Sequence, residues 1–212
     1  RDRFVLSKGH CSPALYAVLS EKGYFKKEKL KEFRNISGNL QGHPDMNKIP
    51  GVDMTTGSLG QGLSAANGMA LTSKLNHDGY RVYCLLGDGE IEEGQVWEAA
   101  MTSYKYKLDN LCVIVDNNNL QIDGDIEKVK GLDNIEGKFK AFGFNTITID
   151  GNNIEQIINA FETAKLTKQK PTAIIAKTIK GKGISFMENE ASWHGKAPNE
   201  EEYNIAMKEL QI

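Results

Sequence analysis

Asp88 stands between two glycines, and an asparagine cluster, Asn117-Asn118-Asn119, follows after one helical and one strand-like stretch; Asn118 lies thirty positions beyond Asp88 (118 − 88 = 30). A carboxylate oxygen, an amide oxygen and a nearby main-chain carbonyl are hard donors of the kind that Mg²⁺ or Ca²⁺ takes. Gly87 and Gly89 let main-chain N–H groups approach an anion, and a helix starting there adds the positive end of its dipole. Together they point to a metal ion carrying a diphosphate. Gly-Asp-Gly alone is also an ordinary turn, so the inference rests on the whole run from Gly87 to Gly124. Three histidines add acid–base capacity: His10 in Ser7-Lys8-Gly9-His10, His43 before Pro44, and His194 in Trp193-His194-Gly195. Neutral imidazoles hydrogen-bond hydroxyls and relay protons near neutral pH. On residue type alone, each is equally a turn residue.

The elements that position these groups alternate in type. Residues 82–86 read as a buried strand ending in the Gly-Asp-Gly turn, and the turn opens a helix. On that helix Val96, Trp97, Ala100, Met101 and Tyr104 recur at helical spacing, so this face should lie against a sheet. Residues 111–115 read as a second buried strand that empties into a loop over 116–119. If the two strands are parallel neighbours, Asp88 and Asn118 meet at one edge of the sheet. Upstream, a short apolar piece at 4–6 leads to the turn with His10 and a helix capped near Ser12-Pro13. A lysine-rich helix with a solvated face is predicted over 26–34, and a tightly packed small-residue helix over 63–75 follows the glycine-rich Thr55–Gly62 run. Downstream come a helix at 134–142, a strand at 144–149 and a helix bearing Ile154, Ile157, Ile158 and Phe161. A β-branched strand at 172–178 and a closing helix over 198–212, capped by Asn199, complete the chain. The alternation predicts an α/β fold, a doubly wound parallel sheet with helices on both faces, in a single domain over 1–212. Lys180-Gly181-Lys182-Gly183 lacks the spacing of a nucleotide-binding P-loop.

The phrases GDGEIEEGQVWEAA and VDNNNLQIDG resemble the thiamine diphosphate enzymes, and with RDRFVLSKGH and TTGSLGQG they resemble the transketolase branch in particular. The resemblance implies thiamine diphosphate with Mg²⁺ (or Ca²⁺), the metal held by Asp88, Asn118 and the Leu120 carbonyl. It implies that Gly87 and Gly89 face the diphosphate, and that Gly57, Leu59 and Ile122 lie against the cofactor rings. Glu93 would sit at a contact between subunits. His10, His43 and His194 would be catalytic, with His194 also reaching the cofactor; WHGKAP carries one extra residue before its proline. The implied reaction is reversible transfer of a two-carbon ketol unit from a ketose phosphate to an aldose phosphate. Family members also carry residues before RDRF and a second domain that binds the aminopyrimidine. The chain is therefore expected to lack an N-terminal segment and to work with a separate C-terminal subunit, through a homodimer contact of the same domain. The alternatives are another thiamine diphosphate enzyme subunit, like a deoxyxylulose phosphate synthase or a 2-oxo acid dehydrogenase, or a non-catalytic scaffold subunit.

Composition sets the outer bounds. The 212 residues suffice for one sizeable core, and 40% hydrophobic with 25% charged residues is ordinary for a globular protein. A formal net charge of −2 without a basic block argues against nucleic acid, and the lack of a long apolar run argues against a membrane. Cys11, Cys84 and Cys112 show no pairing pattern; two of them fall in the predicted buried strands, and the expected compartment is the cytoplasm.

Overall fold

Side-chain alternation along parallel strands decides the layers. The computed structural model describes residues 1–211. Its main strands are β1 (Arg3–Leu6), β2 (Val82–Gly87), β3 (Leu111–Asn117), β6 (Asn145–Asp150) and β7 (Thr172–Lys177). They pair in the order β1-β2-β3-β7-β6, every neighbour parallel. Between β3 and β6 lies a two-residue hairpin, β4 (Leu120–Gln121) with β5 (Gly124–Asp125). The helices are α1 (Ser12–Glu21), α2 (Gly62–Leu75), α3 (Gly94–Lys105), α4 (Ile126–Val129), α5 (Ile135–Ala141), α6 (Ile154–Leu166) and α7 (Glu200–Glu209).

On one face of the sheet, Val82, Cys84 and Leu86 of β2 and Leu111, Val113 and Val115 of β3 pack with α2, α3 and α5. On the other, Cys112, Ile114, Ile149 and Ile174 pack with Ala160, Ala164 and Phe161 of α6. The predicted fold class holds: helices cover both faces of a parallel sheet. Cys84 and Cys112 are buried free thiols on opposite faces, since Cys84 pairs with Val113 and Cys112 with Tyr83.

Several local expectations are corrected. The segment predicted as a helix over 26–34 forms only a 3₁₀ turn, Lys27–Glu32, which buries no residue fully; Leu30 and Phe33 pack partly buried on Tyr16, Leu19, Leu40 and Ile49, too small an apolar face to hold a longer helix. In α3, Met101 and Tyr104 are exposed, and Ala99 and Ser103 are buried beside Val96 and Ala100. The helix packs on α2 through small and polar side chains: the Asn67 amide donates to the Ala99 carbonyl at 2.8 Å, and the Ser103 hydroxyl donates to Asn67 Oδ1 at 2.6 Å. Ile154 and Ile158 of α6 are exposed too, leaving Ile157 and Phe161 to face the sheet. Asp116 and Asn117, predicted as loop, extend β3 because they pair with Ala176 and Lys177 of β7. The closing helix ends at Glu209, and Ile212 lies outside the described residues.

Candidate active site

Four parallel strands end on the same side of the sheet, where loops of an α/β protein gather their chemistry. Ser7 to His10 leave β1, Asp88 to Glu93 leave β2, Asn118 to Ile122 leave β3, and Thr178 to Lys180 leave β7. These loops, with His43, Gly57, Leu59 and His194, surround a cleft of about 520 Å³. All twelve residues predicted as site residues line it: His10, His43, Gly57, Leu59, Gly87, Asp88, Gly89, Glu93, Asn118, Leu120, Ile122 and His194.

The register of β2 on β3 puts Gly87 opposite Asp116 and so brings Asp88 to the asparagines. Asp88 is 2% exposed. Its Oδ2 accepts the Asn119 main-chain N–H at 2.6 Å and the Asn117 amide at 3.2 Å, and Oδ1 accepts the Gly89 N–H at 2.9 Å. Burial raises its pKa, opposed by those three hydrogen bonds and assisted by the nearby Asp116. Among the described residues no lysine or arginine forms an ion pair with it. A buried carboxylate without a cationic side chain suits a divalent ion. Among the described residues no group of three or more His, Cys, Asp or Glu could hold a metal; the residues expected to supply oxygens, Asp88, Asn118 and Leu120, line the same cleft. The Asn118 oxygen accepts the Leu120 N–H at 3.0 Å, which leaves its second lone pair for a ligand. The residues fit such an ion when phosphate or water oxygens complete the shell.

The glycines work through space, since Gly87 and Gly89 are absent from the positive-φ positions. A Cβ on Gly89 would come within 3.1 Å of the Gln121 side chain, whereas one on Gly87 would meet nothing closer than 3.8 Å. The helix expected directly after Gly-Asp-Gly is displaced: Glu90–Glu92 form a 3₁₀ turn, Glu93 is extended, and α3 starts only at Gly94. The N–H groups of the turn itself are taken within the chain: Gly87 donates to Glu90 Oε2 at 3.1 Å, Asp88 to the Asp116 carbonyl at 3.2 Å and Gly89 to Asp88 Oδ1 at 2.9 Å. Gly57 has φ +145°, and a Cβ there would press to 2.9 Å of the His43 ring, so this glycine gives the histidine its place. Leu59 and Ile122 show 37% and 70% exposure, apolar side chains held open at the cleft wall.

His10 and His194 lie side by side, ring centroids 5.2 Å apart. Burial, then the positive field of Lys8, His194, His43 and Lys180, pushes the His10 imidazole down to about 4. Burial, with Lys180 and Lys8, lowers His194 as well. Both rings are thus held neutral near pH 7.

Sequence reasoning missed the charged frame beneath these groups. Lys8, 6% exposed, donates from Nζ to Asp116 Oδ2 at 2.7 Å, and the Thr178 hydroxyl donates to Asp116 Oδ1. Burial opposes both charges, yet Asp116, then Cys11 and Asp88, raise the Lys8 pKa, while Lys8, Thr178 and Asn118 lower that of Asp116. Lys8 sits in the Ser-Lys-Gly-His phrase, but nothing local in sequence couples it to a carboxylate in β3. Glu90 and Gln121 were missed in the same way.

Known proteins resemble this chain in sequence and in fold. The family model described as "Transketolase, thiamine diphosphate binding domain" matches residues 1–211. The chain is 43% identical over 210 residues to an apulose-4-phosphate transketolase subunit of Phocaeicola vulgatus, covering 99% of this chain and 74% of that protein. It is 47% identical over 211 residues to a 6-deoxy-6-sulfo-D-fructose transketolase subunit of a Clostridium species, covering 100% and 77%. A crystal structure of transketolase from Campylobacter jejuni superposes with TM-score 0.93 at 37% identity; it takes in 100% of this chain, which spans 34% of that larger one. The chain belongs to the transketolase family, as its thiamine diphosphate binding domain.

Proposed function

We propose that this chain is the N-terminal subunit of a split transketolase, which moves a two-carbon ketol unit between sugar phosphates with thiamine diphosphate and Mg²⁺ and works with a C-terminal subunit that binds the aminopyrimidine. The observation that carries the reading is the convergence of Asp88, Asn118, Leu59, Ile122 and the three histidines on one cleft at the strand ends. The names of the two subunit relatives favour ketol transfer over the other thiamine diphosphate chemistries and over a scaffold role.

Thiamine diphosphate, when bound, supplies the nucleophilic carbon and electron sink for breaking and making the C–C bond. In this reading Asp88, Asn118 and the Leu120 carbonyl would hold the metal, and the diphosphate would lie beside Gly87 and Gly89, which carry no side chain to exclude it. Gly57, Leu59 and Ile122 give the rings an apolar seat and exclude water. His10, His43 and His194 hydrogen-bond donor and acceptor hydroxyls and carry protons between them. Glu93, exposed in the single chain, belongs to a contact between like domains, so the working unit is an oligomer. A cytoplasmic location and a place in pentose phosphate metabolism are part of the same proposal.

The test is calorimetric titration of thiamine diphosphate and Mg²⁺ into the chain with a candidate C-terminal subunit, followed by a ketol-transfer assay. Saturable, metal-dependent binding and transfer only in the mixture are expected. Full activity of the isolated chain overturns the split-subunit reading.

A further inference from the structure

One buried carboxylate at this cleft has no task in the chemistry above. Glu90 is 3% exposed, and among the described residues it makes no ion pair. It is instead surrounded by donors. Oε1 accepts the Gly60 main-chain N–H at 3.0 Å and the Ser7 hydroxyl, and Oε2 accepts the Gly87 N–H at 3.1 Å. The three donors come from three segments that meet nowhere else in sequence: the exit of β1, the loop before α2 and the end of β2.

The loop is the element that needs fixing. Ser58 and Leu59 are exposed, Gly57 and Gly60 take φ of +145° and +82°, and α2 begins only at Gly62. Leu59 therefore hangs between glycines that offer little stiffness of their own. The Gly60 N–H bond to Glu90 ties this segment to the turn that carries Asp88.

We propose that Glu90 is a positioning residue of the cofactor cleft: its single carboxylate locks the Gly57–Gly60 loop to the Gly87–Gly89 turn, so that the ring-facing and diphosphate-facing walls are set before ligand arrives. The proposal rests on the thiamine diphosphate reading for its ligand, but its geometry is internal to the chain. A wall ordered in advance spares the ligand the cost of ordering it, which appears as affinity. Glutamine cannot replace this group fully. Its amide nitrogen must face an N–H donor, either that of Gly60 or that of Gly87, so one bond is lost.

Hydrogen–deuterium exchange of the ligand-free chain, parent against Glu90→Gln and Ser7→Ala, is the first arm. In Glu90→Gln, amides in segments 57–62 and 86–89 should exchange about tenfold faster, the effect of one buried hydrogen bond to a charged group, while β7 and α6 keep parental rates. Ser7→Ala, which keeps both N–H bonds, should change these segments by no more than about twofold. Unchanged exchange in 57–62, or acceleration spread evenly over the whole chain, overturns the proposal. The second arm titrates thiamine diphosphate with Mg²⁺ into the assembled protein. Glu90→Gln should raise the dissociation constant about tenfold and leave kcat at saturating cofactor within about twofold. An equal loss in kcat at saturation also overturns it. A parent protein that binds no thiamine diphosphate overturns the functional reading instead, and the exchange data then decide the loop lock by themselves.

Discussion

The imidazoles of His10 and His194 stand 5.2 Å apart at an interplanar angle of 35°, one from the turn after β1 and one from a loop close to α7. Two such rings cannot both be protonated there without mutual repulsion, and burial already disfavours the charge on each. An NMR titration should find the His10 midpoint near about 4, against the ordinary 6.5. Between those values the unfolded chain binds more protons than the folded one. His10 therefore makes stability rise with pH across that window; its full contribution is present above 6.5 and is lost as pH falls towards about 4. His10→Asn should flatten that slope in urea unfolding followed at several pH values. A midpoint above 6 would refute the neutral imidazole.

Asp88→Ala removes the only carboxylate in the proposed ligand set. Metal-dependent affinity for thiamine diphosphate should fall by about 100-fold or more, the loss of a charged, buried contact. The Asn119 N–H also loses its acceptor, so stability should drop by about 1–3 kcal/mol. Calorimetry and thermal unfolding on the same preparation separate the two effects. Parental affinity in this variant sinks the metal assignment.

Lys8→Met leaves Asp116, half-buried with its side chain 27% exposed, with the Thr178 hydroxyl but without its cation. Because water reaches Asp116, stripping its partner should cost about 1–3 kcal/mol, less than for a fully buried pair. Lys8→Met with Asp116→Asn should recover part of that loss, because the stranded charge is gone. Denaturant unfolding of the two single variants and the double variant measures the coupling, and additive losses would mean the pair is not coupled.

Gly57→Ala asks an alanine to hold φ +145° with its Cβ 2.9 Å from the His43 ring. The loop and the histidine must both shift, at a cost of about 1–3 kcal/mol. Ketol transfer by the assembled protein should decline more than its cofactor affinity. Equal declines would assign Gly57 to binding alone.

Leu59→Ser and Ile122→Ser touch side chains that are already exposed. Stability should stay within about 0.5 kcal/mol of the parent. If these residues seat the cofactor rings, the dissociation constant of thiamine diphosphate should still rise about tenfold each, the worth of a lost apolar contact. Unchanged binding in both would remove them from the site.

What the sequence made legible was periodic or contiguous. The strands at 82–86 and 111–115 are β-rich apolar runs, and their parallel pairing follows from the helix between them, so the meeting of Asp88 with the asparagine cluster could be read directly, although its bonds go to Asn117 and Asn119 and not to Asn118. Illegible features had partners far away. Met101 and Tyr104 matched helical periodicity, yet α3 turns its small residues to α2 because Asn67 bonds across the interface. The β4–β5 hairpin that holds Leu120 and Gln121 has strands of two residues, too short for any period. Nothing local in the sequence marks Lys8 or Glu90; only tertiary structure shows them buried and bonded.

The cleft walls are drawn from segments as far apart in sequence as Lys8 and Gly195, nearly the full length of the chain. During synthesis, the first-made wall must wait for the last. His10 leaves the ribosome early but acquires its neighbour His194 only after β7, the strand that fills the gap between β3 and β6, has emerged. Until then the β3 edge that β7 covers is unpaired. Parallel sheets of this high contact order assemble slowly and expose sticky surface meanwhile. A nascent chain stalled before residue 172 is therefore the species on which a chaperone, or the partner subunit itself, would find most to hold.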